Sequence, residues 1–440
     1  MKIAFYTLGC KVNQYETQVL RQLFAARGWE VMEFSFDGGW DACVVNSCTV
    51  TAEGDRKTRQ LLRRLRREHP EAALALTGCF PQAFPEEAAA LPADVVTGNR
   101  DRLALAKLLE GFLATGERVV AIRPHEAGEG FEGMEAEDFG PRTRAFVKIE
   151  DGCENRCAYC IIPDARGPVR SKRPEDLREE LEALARTGRR EVVLSGINLS
   201  AYGREWGLRL IDAVELAASV PGIERIRLGS LEPDVIGPED FARMAAAGKV
   251  CPQFHLSLQA GCDATLRRMG RRYDTAHYLR AVEGIRARFP LAAITTDLMV
   301  GFPGETEGDF EESLEFARRV GFAKIHVFPY SRRPGTPADG MPGQVPQEEK
   351  RRRAARLLQV GEELRGRFLD SMAGTVQEVL FEERGAEGQT GYTPNYTPVT
   401  VPEPAPLRGR ILPVRITGRL GDGCQGELCG VDPCTSFSCP

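Results

Sequence analysis

Three cysteines in the stretch GCENRCAYC, Cys153, Cys157 and Cys160, follow a C-x3-C-x2-C spacing. Thiolates this close together wrap three corners of a [4Fe–4S] cube and leave the fourth iron without a protein ligand. An open iron of that kind binds a substrate or cofactor, whereas a cluster held by four cysteines mainly carries electrons. A zinc knot is the competing reading, but structural zinc sites close with four ligands, and no fourth Cys or His lies near this run. Three more cysteines, Cys10, Cys48 and Cys79, close the segments TLGC, VNSC and LTGC. Each ends an apolar run that reads as a strand. If those strands are parallel, their ends share one sheet edge and the three thiols converge on a second cluster, again with one open iron. Cys43 lies inside the run ACVVN and reads as core, because buried free cysteine behaves as a small hydrophobe. Cys251 and Cys262 stand singly and read as ordinary thiols. Cys424, Cys429, Cys434 and Cys439 recur at every fifth position among Gly, Pro and Ser. That stretch, 424–440, reads as a disordered tail dispensable for catalysis, with zinc binding or reversible disulfide formation as the alternatives.

The elements that must position these thiols are legible as alternating patterns. Residues 1–115 alternate apolar strands, at Ile3–Leu8, Ala42–Asn46, Ala73–Thr77 and Val95–Thr97, with helical stretches near Gln14–Arg27 and Asp55–Glu68. That alternation predicts a parallel α/β domain. The acidic, Gly-containing stretch 116–140 reads as a linker. Over 141–370 the alternation resumes, with strands at Ala145–Ile149, Glu191–Leu194, Arg225–Leu228, Phe254–Ser257, Ala293–Met299 and Lys324–Phe328. These βα units predict a full or partial (β/α) barrel, with the C-x3-C-x2-C run directly after its first strand. Polar clusters follow or close the later strands: Ser195-Gly196-Ile197-Asn198, Ser230-Leu231-Glu232, Ser257-Leu258-Gln259 and Gly301-Phe302-Pro303-Gly304-Glu305. In parallel barrels that strand end builds the active site. Glu348–Leu369 reads as a charged helix leading out, and 371–423 as a small β-barrel domain with strands near Val376–Glu382, Val399–Val401 and Gly409–Thr417.

A chain of 440 residues predicts two or three domains. The start lacks a basic segment followed by a long apolar one and reads as a first core strand. No apolar run reaches the roughly 18 residues of a membrane span, so the expected compartment is the cytoplasm. There, thirteen cysteines point to metal or redox work more than to structural disulfides. The formal charge of −5 argues against a generic nucleic-acid binder yet leaves room for a local basic face. Candidates are the helix Arg56–Arg67, Arg267–Arg272 and Lys350–Arg356. Tyr392, Asn395 and Tyr396 are candidate RNA contacts, the tyrosines by stacking on bases.

The C-x3-C-x2-C run resembles the radical-SAM superfamily signature. With the stretches TLGCKVNQYET, NSCTVTAEGDRKTRQ, GCENRCAYCIIPDARGPVRS, LSLQAGCDATLRRMGRRYD, TDLMVGFPGET and HVFPYSRRPGTPA, residues 1–420 resemble the methylthiotransferases. Those pair a three-cysteine domain with a radical-SAM domain and an RNA-binding TRAM domain. Lys11-Val12-Asn13-Gln14 makes the chain most similar to the branch acting on threonylcarbamoyladenosine in tRNA. The resemblance implies two [4Fe–4S] clusters and S-adenosylmethionine (SAM). SAM would sit on the open iron of the Cys153–Cys157–Cys160 cluster, with Tyr159 against its adenine. Ser195 and Gly196 would meet its methionine part, and Ser230, Glu232 and Gln259 its ribose or methionyl end. It further implies hydrogen abstraction from C2 of the modified adenosine 37, sulfur delivery at the Cys10–Cys48–Cys79 cluster, and an electron donor such as flavodoxin or ferredoxin. Ser47 stands where the family more often has Thr, and Asp164 where it usually has an aromatic residue, which bears on a local substrate contact. The rival readings are an isopentenyladenosine or ribosomal-protein substrate, or a non-catalytic iron–sulfur protein that binds RNA.

Overall fold

The computed structural model describes residues 1–133, 135 and 143–430. Its first layer is a six-stranded parallel sheet of β1 (Lys2–Thr7), β2 (Glu30–Met32), β3 (Ala42–Ser47), β4 (Ala73–Gly78), β5 (Val95–Thr97) and β6 (Val119–Ala121). The strand order is β2-β1-β3-β4-β5-β6, so β1, β3 and β4 are neighbours. β3 and β4 are buried along their whole length, which explains their uninterrupted apolar runs. Helices α1 (Lys11–Ala26), α2 (Ala52–Glu68), the short α3 (Cys79–Ala83) and α4 (Pro85–Ala89), and α5 (Ala104–Thr115) connect the strands. Thr51 caps α2, its hydroxyl accepting from the Gly54 amide at 3.2 Å. Leu61, Leu62 and Leu65 bury one face of that helix and leave the arginines outside.

The second unit is an arc of parallel strands: β7 (Arg144–Lys148), β10 (Glu191–Ser195), β11 (Arg225–Leu228) with its continuation β12 (Ser230–Leu231), β13 (Gln253–Leu256), β14 (Ala293–Val300) and β15 (Lys324–Pro329). A bridge between Ile226 and Val250 carries the arc past Gly229, where one sheet gives way to the next. Among the described residues β7 and β15 do not pair, so the barrel is partial and open on that side. A two-stranded ribbon, β8 (Glu150–Asp151) and β9 (Arg170–Ser171), brackets the cysteine loop and α6 (Ile162–Arg166). Helices α7 (Pro174–Arg186), α8 (Leu210–Ser219), α9 (Pro238–Ala246), α10 (Asp263–Arg268), α11 (Thr275–Arg288) and α12 (Glu307–Val320) belong to the same unit. Helix α13 (Gln347–Asp370) packs on β15 and leads to a closed barrel of β16 (Val376–Gly385), β17 (Gly388–Tyr392), β18 (Pro398–Val401), β19 (Ile411–Leu420) and β20 (Gly423–Leu428). Among the described residues no helix is long and apolar enough to cross a membrane.

Two boundaries drawn from the sequence are corrected. The stretch 116–140 is not all linker, because Val119–Ala121 completes the first sheet and Glu129 and Glu132 meet the buried Arg170 and Arg102. The tail does not begin at 424. β20 lies between β18 and β19, and Cys424 is buried in the barrel core. Cys429 is half-buried, and Cys434 and Cys439 lie outside the described residues. Cys43, Cys251 and Cys262 are all buried.

Candidate active site

The parallel register sets the first thiol trio. Thr7 lies opposite Asn46 and Ser47 opposite Gly78, so the chain leaves β1, β3 and β4 along one sheet edge at Cys10, Cys48 and Cys79. Gly9, in the left-handed region, is so close to Cys48 that a Cβ on it would lie 2.9 Å from that residue's Cβ. Asn13 staples the edge together: its Nδ2 donates to the carbonyls of Leu8 (2.9 Å) and Ser47 (3.0 Å), and its Oδ1 lies 3.7 Å from the Cys10 sulfur.

The second trio sits on the loop after β8. Gly152 has φ +91°, and a Cβ there would collide with the Pro168 carbonyl, so the entry to Cys153 requires glycine. The amide of Cys153 donates to Gly167 O (3.0 Å), that of Ala158 to Met269 O (2.9 Å) and that of Cys160 to Cys157 O (3.0 Å). In neither trio do all three sulfurs lie within 4.8 Å of one another. Burial pushes the thiols of Cys48, Cys153 and Cys160 up to about 12. A metal must therefore displace their protons.

Around the second trio the strand ends supply polar groups. Arg271 forks between the Cys157 sulfur (3.2 Å from Nη1), the Tyr273 hydroxyl (3.0 Å from Nε) and the Glu232 carboxylate. The amide of Glu232 donates to Ser200 Oγ at 2.8 Å. Gln259 has φ +70°, rare for a residue with a side chain. It is held there by its amide on Asp297 O (2.9 Å) and its carbonyl under Met299 N (2.8 Å). Tyr159 is half-buried and edge-on to Phe302, with centroids 6.5 Å apart. Ser195 donates its hydroxyl to Val147 O (3.1 Å), and Gly196 lies against Glu150, whose Oε2 a Cβ would approach to 2.5 Å. Glu150 was not singled out from the sequence. It is fully buried, accepts from the Asn198 amide at 2.7 Å, and is pushed well above the usual carboxylate range by burial and the neighbouring Asp151. Its Oε1 and the Oδ1 of Asn198 are buried without a partner. Both lie beside Ser195-Gly196, where a ligand carrying amino and hydroxyl groups would satisfy them.

One buried guanidinium joins the two trios. From α6, Arg166 places Nε 3.2 Å from the Cys79 sulfur and Nη2 2.6 Å from Asn13 Oδ1. Its Nη1 lies 2.6 Å from Glu16 and 3.4 Å from Asp151, two residues before Cys153. Glu16 also meets Lys148 (2.8 Å) and Arg102 (3.2 Å). Burial opposes the charge on Glu16, but Arg102, Arg166 and Lys148 hold its carboxyl down at about 2. A second strut runs from Arg333 to Asp55 (2.6 Å) and Thr49 (2.7 Å), beside Cys48. Asp164 is exposed and lies 3.5 Å from Arg156.

A cavity of about 810 Å³ opens between the arc, the start of helix α1 and the barrel. Ser230 lines it, as do Lys11, His255, Asp297 and His326. Tyr392 and Tyr396 stack on each other at 4.8 Å in its wall, with the Arg144 guanidinium 4.9 Å from each ring. Asn395 is buried, and its amide goes to Leu291 O, so that side chain holds the loop. The three basic stretches are largely neutralised. Arg56, Arg59, Arg64 and Arg66 pair with Glu53, Glu87, Glu68 and Asp94. Arg268 pairs with Asp309, and Arg352, Arg353 and Arg356 pair with carboxylates at the start of α12.

Residues 2–98 match the uncharacterized protein family UPF0004, 147–317 the radical SAM superfamily and 370–418 the TRAM domain. The threonylcarbamoyladenosine tRNA methylthiotransferase MtaB of Bacillus subtilis (strain 168) is 35% identical over 424 residues, which is 94% of this chain and 93% of that protein. The protein of the same name from Thermotoga maritima is 37% identical over 377 residues, covering 86% and 85%. The tRNA-2-methylthio-N(6)-dimethylallyladenosine synthase of Natranaerobius thermophilus is 33% identical over 443 residues, covering 96% of each. Among solved structures, the radical S-adenosylmethionine methyltransferase TsrM from Kitasatospora setae, with cobalamin and a [4Fe-4S] cluster bound, shares the fold. It superposes with a TM-score of 0.55 at 16% identity over 77% of each chain.

Proposed function

The chain belongs to the radical-SAM tRNA methylthiotransferases, and we propose that within them it methylthiolates C2 of N6-threonylcarbamoyladenosine at position 37 of tRNA. Enzymes of this kind work with two [4Fe–4S] clusters and SAM. The observation that carries the finer reading is the excess of cations in the wall of the cavity between the three domains, where Lys11, Arg144, Arg227, Lys324, Arg365 and Arg408 outnumber the carboxylates of Asp297, Glu382, Glu383 and Asp422. It suits an adenosine bearing an acidic side chain better than one bearing an apolar isopentenyl group.

On this reading Cys10, Cys48 and Cys79 hold one cluster and Cys153, Cys157 and Cys160 the other. When bound, the clusters and SAM supply the radical chemistry that an unactivated C2–H bond requires, and the sulfur and methyl group. The chain's own work is positional. Arg271 fixes the Cys157 sulfur against Glu232. Glu150 and Asn198 offer buried oxygens to the amino and hydroxyl groups of SAM beside Ser195 and Gly196. Glu232 lies beside Cys157 and, with Gln259 and Tyr159, would meet the rest of SAM, whereas Ser230 lines the larger cavity. Arg166 spaces the two cysteine trios, and the buried ion network around Glu16 keeps water from between them. The stacked Tyr392 and Tyr396 give the tRNA a π-face at the cavity wall. The cytoplasm supplies both tRNA and a one-electron donor such as flavodoxin or ferredoxin.

The deciding experiment compares purified, cluster-loaded enzyme on tRNA carrying threonylcarbamoyladenosine, isopentenyladenosine or unmodified adenosine at position 37. Nucleoside mass spectrometry should find the methylthio product only with the first. Equal turnover of the isopentenyl form would assign the chain to the other branch.

A further inference from the structure

Lys11 is the first residue of α1, directly after Cys10, and it lines the cavity with its side chain exposed to it. The other cations of that wall are already engaged. Arg144 meets Glu382 at 2.8 Å and Arg227 meets Glu191 at 2.6 Å. Arg365 lies 3.0 Å and Lys324 3.8 Å from Asp422. Arg408 also has a polar or ring partner. Among the described residues the side chain of Lys11 has no ion-pair or hydrogen-bond partner, although it lines the same wall as these cations. Arg144 and Arg227 share the wall with it and oppose its charge, while the thiol of Cys10 directly before it favours that charge.

A lysine kept unpaired among other cations costs free energy that an arriving anion recovers. The two candidate nucleosides differ in that respect. The threonylcarbamoyl group ends in a carboxylate, while the isopentenyl group is uncharged. We propose that Lys11 is the specificity residue that receives the carboxylate of the threonylcarbamoyl side chain, directly after Cys10, one of the three residues that would hold the sulfur-supplying cluster. This rests on the substrate assignment above and names the residue that enforces it. The cavity volume lies within the range that encloses a small ligand.

The test uses the full-length, cluster-loaded protein and three anticodon stem-loops. Their adenosine 37 carries threonylcarbamoyl, the same group with its carboxylate converted to a carboxamide, or isopentenyl. Dissociation constants come from fluorescence anisotropy, and iron content verifies each variant's fold. Wild type should bind the acid about tenfold more tightly than the amide. Lys11→Met should bind acid and amide alike, at the affinity wild type has for the amide, and Lys11→Arg should restore the preference. A wild-type acid-to-amide ratio near one overturns the role of Lys11 even if no variant folds, and so does a preference that survives in Lys11→Met. Those outcomes leave the substrate assignment intact as long as wild type methylthiolates the acid form. Failure of wild type to modify that form while modifying the isopentenyl one overturns the assignment itself, and Lys11's role with it.

Discussion

Arg166 contacts the Cys79 sulfur, Asn13, Glu16 and Asp151 through three different nitrogens. Lysine carries the same charge without the fork, so Arg166→Lys is not conservative here. It should retain iron and reductive SAM cleavage yet lower methylthiolation at least about tenfold, a loss near 1.4 kcal/mol in transition-state terms. A product-to-cleavage ratio equal to wild type would remove Arg166 from the positioning role. The cysteines themselves divide the iron. Alanine at Cys153, Cys157 and Cys160 should leave about four irons per chain and no SAM cleavage. Alanine at Cys10, Cys48 and Cys79 should leave a similar amount, about four, with cleavage intact. Iron unchanged by the second triple substitution would contradict two clusters. These thiols were legible in the sequence because local spacing, or position at a strand end, marks them. Arg166, Arg271 and Glu150 were not. Arg166 and Arg271 lie in stretches the sequence marked for other reasons and Glu150 in none, and their partners lie as much as 153 residues away. No local period encodes such a contact.

Among the elements, β3, β4, β10 and β11 were readable because each is buried along its whole length and therefore continuously apolar or ion-paired. β17 (GQTGY) and β20 (GCQGEL) were not, since glycines and polar residues suppress the strand signal. The closed barrel explains the glycines. A Cβ on Gly391 would lie 2.4 Å from Leu380 O, and one on Gly426 would lie 2.4 Å from Val414 Cγ1. Only glycine lets the strands approach this closely. The periodic cysteines drew attention to a tail and hid that the first of them belongs to a strand. The consequence separates two truncations. A chain ending at Gly430 keeps all five strands and should retain the wild-type melting temperature and tRNA modification. One ending at Gly423 removes β20, which pairs with both β18 and β19, and opens the barrel. Limited proteolysis should then cut within 376–420 while sparing the first two units. Resistance of that shorter chain would mean the barrel closes without β20.

For the whole molecule, charge is what ties the units together, and its arrangement was the least visible part of the sequence. Acidic residues after 121 suggested a linker, yet Glu129 and Glu132 reach Arg170 and Arg102. A basic helix suggested an RNA face, yet most of its arginines have carboxylates. Helix α1 packs both ways, placing Tyr15 and Val19 in the core of the central unit and Leu20 and Phe24 in that of the first. Each such side chain contributes roughly 1.5–3 kcal/mol by burial. Between these apolar contacts sits Glu16, fully buried and facing Arg102, Arg166 and Lys148. Glu16→Gln keeps the shape but leaves those cations short of one charge. Breaking a buried pair from one side costs roughly 3–5 kcal/mol, so the variant should show a clear drop in melting temperature at neutral pH. The direction with pH follows from the Glu16 carboxyl lying at about 2, below its ordinary value of 4.5. A depressed acid contributes stability that is complete above its unfolded value and disappears as pH falls toward the folded one. The gap between wild type and Glu16→Gln should therefore stay constant from pH 8 to about 5 and narrow below about 4.5. Asp151 is held well below the carboxylate range too, its burial outweighed by Lys148, Arg166 and Arg170, so it steepens the same acid limb in both proteins. Melting curves of both across that range decide the matter. A gap that widens on acidification would mean that Glu16 is protonated in the folded chain, and that the cations around it are neutralised by something else.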